Sequence, residues 1–389
     1  MPLSRRRVLR LDQDGDHQGR MGGAVMNTVI LAGGGHSHLH CLLERSKEQT
    51  ADRWILISPS RHQYYSGMFS GFVEGVYSEE EIRVDLEALC RKAHCEFVEA
   101  SVLSVDPIQQ QLLTDAGELY SYNAASFDIG SRNEDPGIPG LAGANLRIKP
   151  NHRFPSQVER LYRSRDTVFI GGGAAACELA LSLRAWKEKN GKPDDSITVL
   201  HSSPLLHEAG VLASRNMASL LDRRRISTLK GKAEQVTDGT VVTDQARHIP
   251  FDEVMFLGGA AAQGLFGSSL IPTDEKGFML TNANLQSISF PGLFAAGDCG
   301  TLADFPDLPK NGVTAVRQGP VLWENLNRFL TGRKLLAFQS KSRYLSILST
   351  GNGNGFLLYG SFAVQGRWTR KLKERLDRSF MKKYGSHEK

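Results

Sequence analysis

No CxxC pair occurs in this chain. The five cysteines, Cys41, Cys90, Cys95, Cys177 and Cys299, are scattered, without the dense spacing of a secreted disulfide scaffold. That usage implies a reducing compartment. Long apolar runs are missing too: none approaches the roughly 18–20 residues that a bilayer-spanning helix needs. A charge spread evenly over the chain is also lacking. Of the net +5, residues 367–389 hold nine Lys or Arg and three Asp or Glu, a local +6, so the remainder is near neutral. A basic tail of this kind is not a basic nucleic-acid-binding face, and no nucleic-acid partner is expected. Residues 1–26 contain Arg5-Arg6-Arg7 and three aspartates but no apolar segment behind them, which argues against a secretory or twin-arginine signal. They read as a disordered extension, with Met26 as an alternative start.

What is present is a repeat. Thr28 to His40 (TVILAGGGHSHLH) runs from an apolar strand through three glycines into a helix, and Thr167 to Cys177 (TVFIGGGAAAC) does so again. Such a turn lets the backbone approach a pyrophosphate, whose charge sits at the helix N-terminus. One glycine turn is weak evidence, but two in tandem are stronger. The first is followed by a helix over 39–48, a strand over 54–57, an aromatic and glycine-rich loop over 63–75 and helical spacing over 83–93. A β-meander over 96–122 and a strand over 125–131 complete the unit. The second is followed by a helix over 174–189, a strand over 196–200, a helix over 217–225, a meander over 230–248 and a strand over 254–259. Residues 132–166, with Pro136, Pro139, Pro150 and Pro155, read as the crossing linker. A strand with LFAAGD (Leu293–Asp298) and a helix over 313–330 return after residue 291. A hairpin at Asn352–Gly355 and a basic helix end the chain.

These segments predict an α/β fold: two interleaved Rossmann-like domains with a small C-terminal α+β region. The expected division is 27–145 and 276–336 for the FAD-binding domain, 146–275 for the NAD(P)-binding domain and 337–389 for the C-terminal region. The tandem turns with LFAAGD resemble the two-dinucleotide-binding-domain flavoproteins, a pyridine nucleotide-disulfide oxidoreductase-like group. It includes type II NADH dehydrogenases and sulfide:quinone reductases. LAGGGHSHLH, YYSGMFSG, SFDIGS, IKPNHRF and LPKNGVTAVRQGPV resemble more closely the domain of this type found joined to selenide, water dikinase. The resemblance covers residues 27–384 and implies FAD, NAD(P)H and hydride transfer through the flavin.

Carried onto this sequence, the resemblance assigns residues. Gly33, Gly34, Gly35 and His36 form the turn for the FAD pyrophosphate. Two positions depart from the fingerprint: His38 stands at the third glycine, and Ser58 stands where an acid would hold the adenosine ribose. Ser58 and Arg61 are expected to replace that acid in part. Gly130 ends the strand that faces the flavin, and Asp298, after Gly297, is expected to accept from the ribityl chain or bind the pyrophosphate region. Lys310 is placed beside the isoalloxazine, where a fixed positive charge would stabilise reduced flavin. Gln318 belongs to the following helix, whose N-terminal end faces the flavin pyrimidine. Gly171, Gly173 and Ala176 form the second phosphate turn, and Glu178 is placed near the nicotinamide. The strand over 196–200 ends in His201-Ser202-Ser203, without the acid of an NAD-specific site. That permits NADPH, or a weak or lost nucleotide site.

His36 and His40 share a helix face, but no carboxylate or cysteine completes a set, and no metal is expected. Disulfide or sulfide chemistry is disfavoured. Cys41 has no partner four or five residues on and residues 131–176 hold no cysteine, though Cys177 and Cys299 could meet in space. In the tail, Trp368, Leu372, Leu376 and Phe380 fall four apart and form one apolar stripe, with Lys371, Lys373, Arg375, Arg378 and Lys382 on the flanks and the opposite side. That is a basic amphipathic helix able to lie on a membrane over 367–384, apolar side down; packing on the FAD domain or on a second subunit is the alternative. The functional expectation is an FAD-dependent oxidoreductase, catalytic through Lys310 and Glu178. It takes hydride from NAD(P)H and passes electrons to a quinone-like or small acceptor. The location is cytoplasmic or peripheral on the inner face of a membrane, and a homodimer is compatible. The alternative is an accessory flavoprotein of selenium metabolism that binds or delivers substrate.

Overall fold

Three short apolar runs, Val29–Ala32, Trp54–Ile57 and Ala124–Phe127, are buried along their whole length. Strands buried on both faces read as continuous apolar runs and belong in parallel sheets covered by helices. The computed structural model, which describes residues 26–48, 50–340, 344–360 and 362–385, bears this out. The expected extension at 1–26 lies outside the described residues apart from Met26.

A first parallel sheet has the strand order Leu293–Ala295, Ala124–Phe127, Thr28–Ala32, Arg53–Ser58, Glu96–Glu99. A second has the order Ser227–Lys230, Ser196–His201, Asp166–Ile170, Glu253–Phe256. The first sheet therefore takes its last strand from beyond the second. The chain crosses between them beside a short antiparallel pair, Arg132–Asn133 with Ala260–Ala261. Each parallel sheet carries an antiparallel meander of three strands, over 102–121 and 233–250. Helices Gly312–Leu330 and His36–Arg45 pack closely on the first sheet, and a Cβ on Gly319 would lie 2.8 Å from that of His40, so this crossing requires glycine.

Several segments differ from the sequence reading. Glu96–Glu99 is an edge strand of the first parallel sheet rather than part of the meander, and Ser227–Lys230 is an unexpected edge strand of the second, before the meander. The crossing linker contains a helix, Pro155–Arg163, started by a proline at its first turn, where the missing N–H costs nothing. The aromatic loop after residue 62 folds into a 3₁₀ turn and a short helix, Phe69–Val73, anchored by Phe69 on Phe154 at 4.6 Å between ring centroids. The C-terminal hairpin has a third strand, giving the antiparallel order Leu345–Ser349, Gly355–Tyr359, Phe362–Gly366. The helix Arg367–Tyr384 then lies across it.

On that helix three charged residues are buried and part of the apolar stripe is left exposed. Arg370, Lys373 and Asp377 are 3%, 9% and 4% exposed, whereas Trp368 and Leu376 are 55% and 50% exposed. The inward charges are matched by partners on the segment 67–74. Arg370 bridges Glu74 at 3.3 Å, and Lys373 Nζ donates to the Gly67 carbonyl. Buried charges persist when paired and hydrogen-bonded, so these partners decide which face goes in. Met381 and Tyr384 add apolar burial at the far end.

Candidate functional site

The first glycine turn opens on a cleft of about 1460 Å³, which the helix after the second turn reaches through Ala174, Ala175 and Glu178. It is lined by Gly33, Gly34, Gly35 and Ser58, by His36, Gly130, Asp298 and Lys310, and by Glu178. It reaches the C-terminal region at Leu345, Leu376 and Asp377. Arg61, Gly297, Gln318, Gly171, Gly173 and Ala176 are not among the lining residues. Arg61 is engaged with Asp85 at 2.7 Å and Glu87 at 3.1 Å, and so is turned to its own loop. Gln318 Oε1 accepts from the Gly297 amide at 2.7 Å, which fastens the turn that presents Asp298.

At the first turn Gly33 has φ +91°, a conformation suited to glycine. A Cβ on Gly35 would lie 2.1 Å from the Asp128 carboxyl carbon. Asp128 is the group the sequence reading missed. Its carboxylate accepts from the Ser37 amide at 2.7 Å, at the helix N-terminus where a pyrophosphate would bind. Burial, with nearby Asp298 in support, pushes this carboxyl up to about 7. His38 explains how an imidazole takes the third-glycine position: Nδ1 donates to the Gly33 carbonyl at 2.6 Å and Nε2 accepts from Ser126 Oγ at 2.9 Å in the neutral tautomer. Burial lowers His36 and His38 to about 4, so both rings are neutral. His36 packs against Tyr65 and Phe380, and its Nε2 has no hydrogen-bond partner among the described residues.

Asp298 is held by a second group that the sequence reading did not single out. Lys149 Nζ lies 3.2 Å from Asp298 Oδ2, and Ser131 Oγ donates to the same oxygen at 3.0 Å. Lys149 sits in IKPNHRF, a motif quoted only for its resemblance. Among the described contacts both partners use Oδ2, which leaves Oδ1 to accept from a ligand hydroxyl. Lys310 Nζ donates to the Gly300 carbonyl at 2.8 Å and Thr301 Oγ1 at 2.9 Å, over the Phe278 ring at 3.9 Å. Burial lowers its pKa from the ordinary lysine value. Glu178 Oε1 accepts from Ser70 Oγ at 2.8 Å and from the Ser349 amide at 2.7 Å, tying the second nucleotide unit to the C-terminal sheet.

The second turn is open. A Cβ on Gly173 would meet nothing within 4 Å, and the helix Ala174–Lys189 starts without a side-chain cap. His201 and Lys230 are register partners at the ends of adjacent strands beside it.

All five cysteines are free and buried. Cys177 and Cys299 do not meet: the Cys177 thiol contacts the Gly172 carbonyl, and that of Cys299 contacts those of Phe127 and Ala296. Cys90 and Cys95, spaced by four residues, do interact; the Cys95 thiol, with burial, pushes Cys90 up. Neither lines the cleft. Among the described residues no group of three His, Cys, Asp or Glu could hold a metal.

Two parallel sheets, each with a glycine turn at a helix N-terminus, are the Rossmann-like architecture of FAD- and NAD-binding oxidoreductases. The chain belongs to the pyridine nucleotide-disulphide oxidoreductase family, whose profile matches residues 26–319. It is an FAD-dependent oxidoreductase that works with NAD(P)H. The type II NADH:quinone oxidoreductase of Staphylococcus saprophyticus is 21% identical, covering 92% of this chain and 96% of the relative. The demethylphylloquinone reductase of Synechocystis is 24% identical, covering 87% and 90%. Among solved structures, the sulfide:quinone oxidoreductase of Aquifex aeolicus superposes with a TM-score of 0.77 at 18% identity, covering 92% and 91%. Plasmodium falciparum NDH2 in complex with NADH does so with a TM-score of 0.74 at 13% identity, covering 92% and 99%.

The residues present fit FAD. Gly33–Gly35 form a turn with no room for side chains, Asp298 has an oxygen free to accept from a ribityl hydroxyl, and the Lys310 ammonium would offset negative charge on the flavin. Asp128 fits in its neutral form, because a protonated carboxyl can donate to a phosphate oxygen instead of repelling it.

Proposed function

We propose that the protein transfers the hydride of NAD(P)H through FAD to a quinone-like acceptor that enters from a membrane surface. The observation that carries this reading is the lining of the cleft. It joins the first glycine turn, Asp298, Lys310 and Glu178 to the exposed apolar side chains Leu345 and Leu376. Trp368, exposed on the same helix as Leu376, adds to them, as do exposed Tyr359 and Phe362. Lys371, Arg375, Arg378 and Lys382 are exposed along the same helix. Apolar side chains flanked by basic ones suit an anionic bilayer surface, at roughly 1 kcal/mol per basic residue near it. No described helix is long and apolar enough to cross a membrane, so the contact would be peripheral. Two relatives carry quinone or phylloquinone reduction in their names, in keeping with this acceptor.

Bound FAD supplies the two-electron relay. Around it Asp298 orients the ribityl chain, Lys310 offsets negative charge on the reduced ring, and Glu178 bounds the cleft on the side of the second turn. The selenium-linked accessory role draws on the motif resemblance alone, and no feature of the cleft favours it.

The test combines vesicles with turnover. Full-length protein should sediment with anionic vesicles at low salt, release at high salt, and reduce vesicle-borne quinone with NAD(P)H. Replacing the two exposed apolar residues together, Trp368→Ser with Leu376→Ser, should abolish sedimentation while the protein stays folded and yellow. Full-length protein that ignores anionic vesicles at low salt rules out the membrane route.

A further inference from the structure

The buried face of the C-terminal helix holds an acid that anchoring the helix does not explain. Arg370 and Lys373 find partners on 67–74, but Asp377 lines the cleft beside Leu376. Its Oδ2 lies 3.1 Å from Lys373 Nζ, yet takes no well-aligned hydrogen bond among the described residues. A buried carboxyl with an oxygen that no aligned donor satisfies is costly, even with an ion-pair partner beside it. The groups facing it come from three elements: Lys373 on its own helix, Tyr65 and Tyr77 on the aromatic segment, and Glu178 on the helix after the second turn. Burial raises its pKa above the ordinary aspartate value, and Lys373 opposes that rise.

We propose that Asp377 donates the proton that a quinone-like acceptor takes up as it is reduced in this cleft, with Lys373 stabilising the carboxylate left behind. The inference rests on the acceptor reading above. A quinone becomes a quinol by gaining two electrons and two protons. A hydride from the reduced flavin brings both electrons and one proton, and Asp377 supplies the other to the second oxygen. The Asp377 carboxylate left behind keeps the Lys373 ammonium beside it, 3.1 Å away, and regains its proton from water in the cleft. His36 Nε2, also unpartnered and on the cleft wall, is neutral and accepts a hydrogen bond more readily than it gives up a proton.

The experiment is rapid mixing of anaerobically reduced holoenzyme with two acceptors, menadione and ferricyanide. Ferricyanide takes electrons singly and needs no proton. Asp377→Asn should slow reoxidation by menadione about a hundredfold, in the range a positioned proton donor supplies. It should leave reoxidation by ferricyanide within about threefold of wild type, and Asp377→Glu should recover most of the menadione rate. Equal slowing with both acceptors makes Asp377 a structural residue and overturns the proposal, as does an unchanged menadione rate. A wild-type flavin that ferricyanide reoxidises and menadione does not overturns the acceptor reading itself, and the proposal with it.

Discussion

The two glycine turns begin alike in sequence and finish differently in space. At the first, the space beside Gly35 is filled by the Asp128 carboxylate, and His38 staples the turn to Ser126. At the second, the space beside Gly173 is empty and the helix end is uncapped. The first is thus built around an internal anion that a pyrophosphate must displace or neutralise. The second is ready for a ligand that comes and goes. A resident cofactor and an exchanging one call for this division, since FAD stays through turnover while NAD(P)H must leave.

The largest expected contrast comes from adding a methyl group at each turn. Gly35→Ala drives a Cβ into the Asp128 carboxyl and should cost about 1–3 kcal/mol or more in stability, with loss of FAD. Gly173→Ala should leave the melting temperature and FAD content near wild type and raise only the KM for NAD(P)H. Denaturation curves and flavin absorbance check both.

Next comes pH. Asp128 has a folded value of about 7, raised from 3.8. Its contribution to stability is therefore present in full below 3.8 and lost as pH rises to about 7, by a total on the order of 4 kcal/mol. FAD binding that holds the proton on Asp128 should weaken tenfold for each pH unit above about 7. Asp128→Asn should flatten that dependence, and a titration of apoprotein with FAD across this range reads it directly. His36 and His38 act in the opposite sense: their folded values of about 4 make stability present above 6.5 and lost as pH falls.

His38→Ala removes two buried hydrogen bonds that the second turn lacks. Leaving the Gly33 carbonyl and Ser126 hydroxyl without their partner should cost about 2–4 kcal/mol in chemical denaturation. The smallest effect is expected beside the open turn. Lys230→Glu, next to His201, should shift the NADPH-to-NADH ratio of kcat/KM about tenfold toward NADH, as one charge contact worth roughly 1.4 kcal/mol would.

What the sequence made legible was local. The helix predicted over 174–189 has those bounds, because glycine starts it and its apolar pattern lies within one element. The tandem turns revealed the two parallel sheets for the same reason. The missed features all depend on partners far away. Asp128 reaches Ser37 across 91 residues, and Lys149 reaches Asp298 across 149. The C-terminal helix was placed correctly, but the burial of its charged residues was not legible. Periodicity separates an apolar stripe from a polar one, yet only Glu74 and Gly67, 296 and 306 residues away, determine that the polar side is buried.

On the proposed reading, a hydride passes from NAD(P)H to bound FAD and from there to a quinone-like acceptor in the same cleft. Anaerobic rapid mixing of the yellow holoenzyme with NADPH or NADH, followed by menadione, tests this. The flavin absorbance should bleach with a stoichiometric amount of one nucleotide and return on addition of the quinone. A flavin that neither nucleotide bleaches, in protein that retains its FAD, would contradict it.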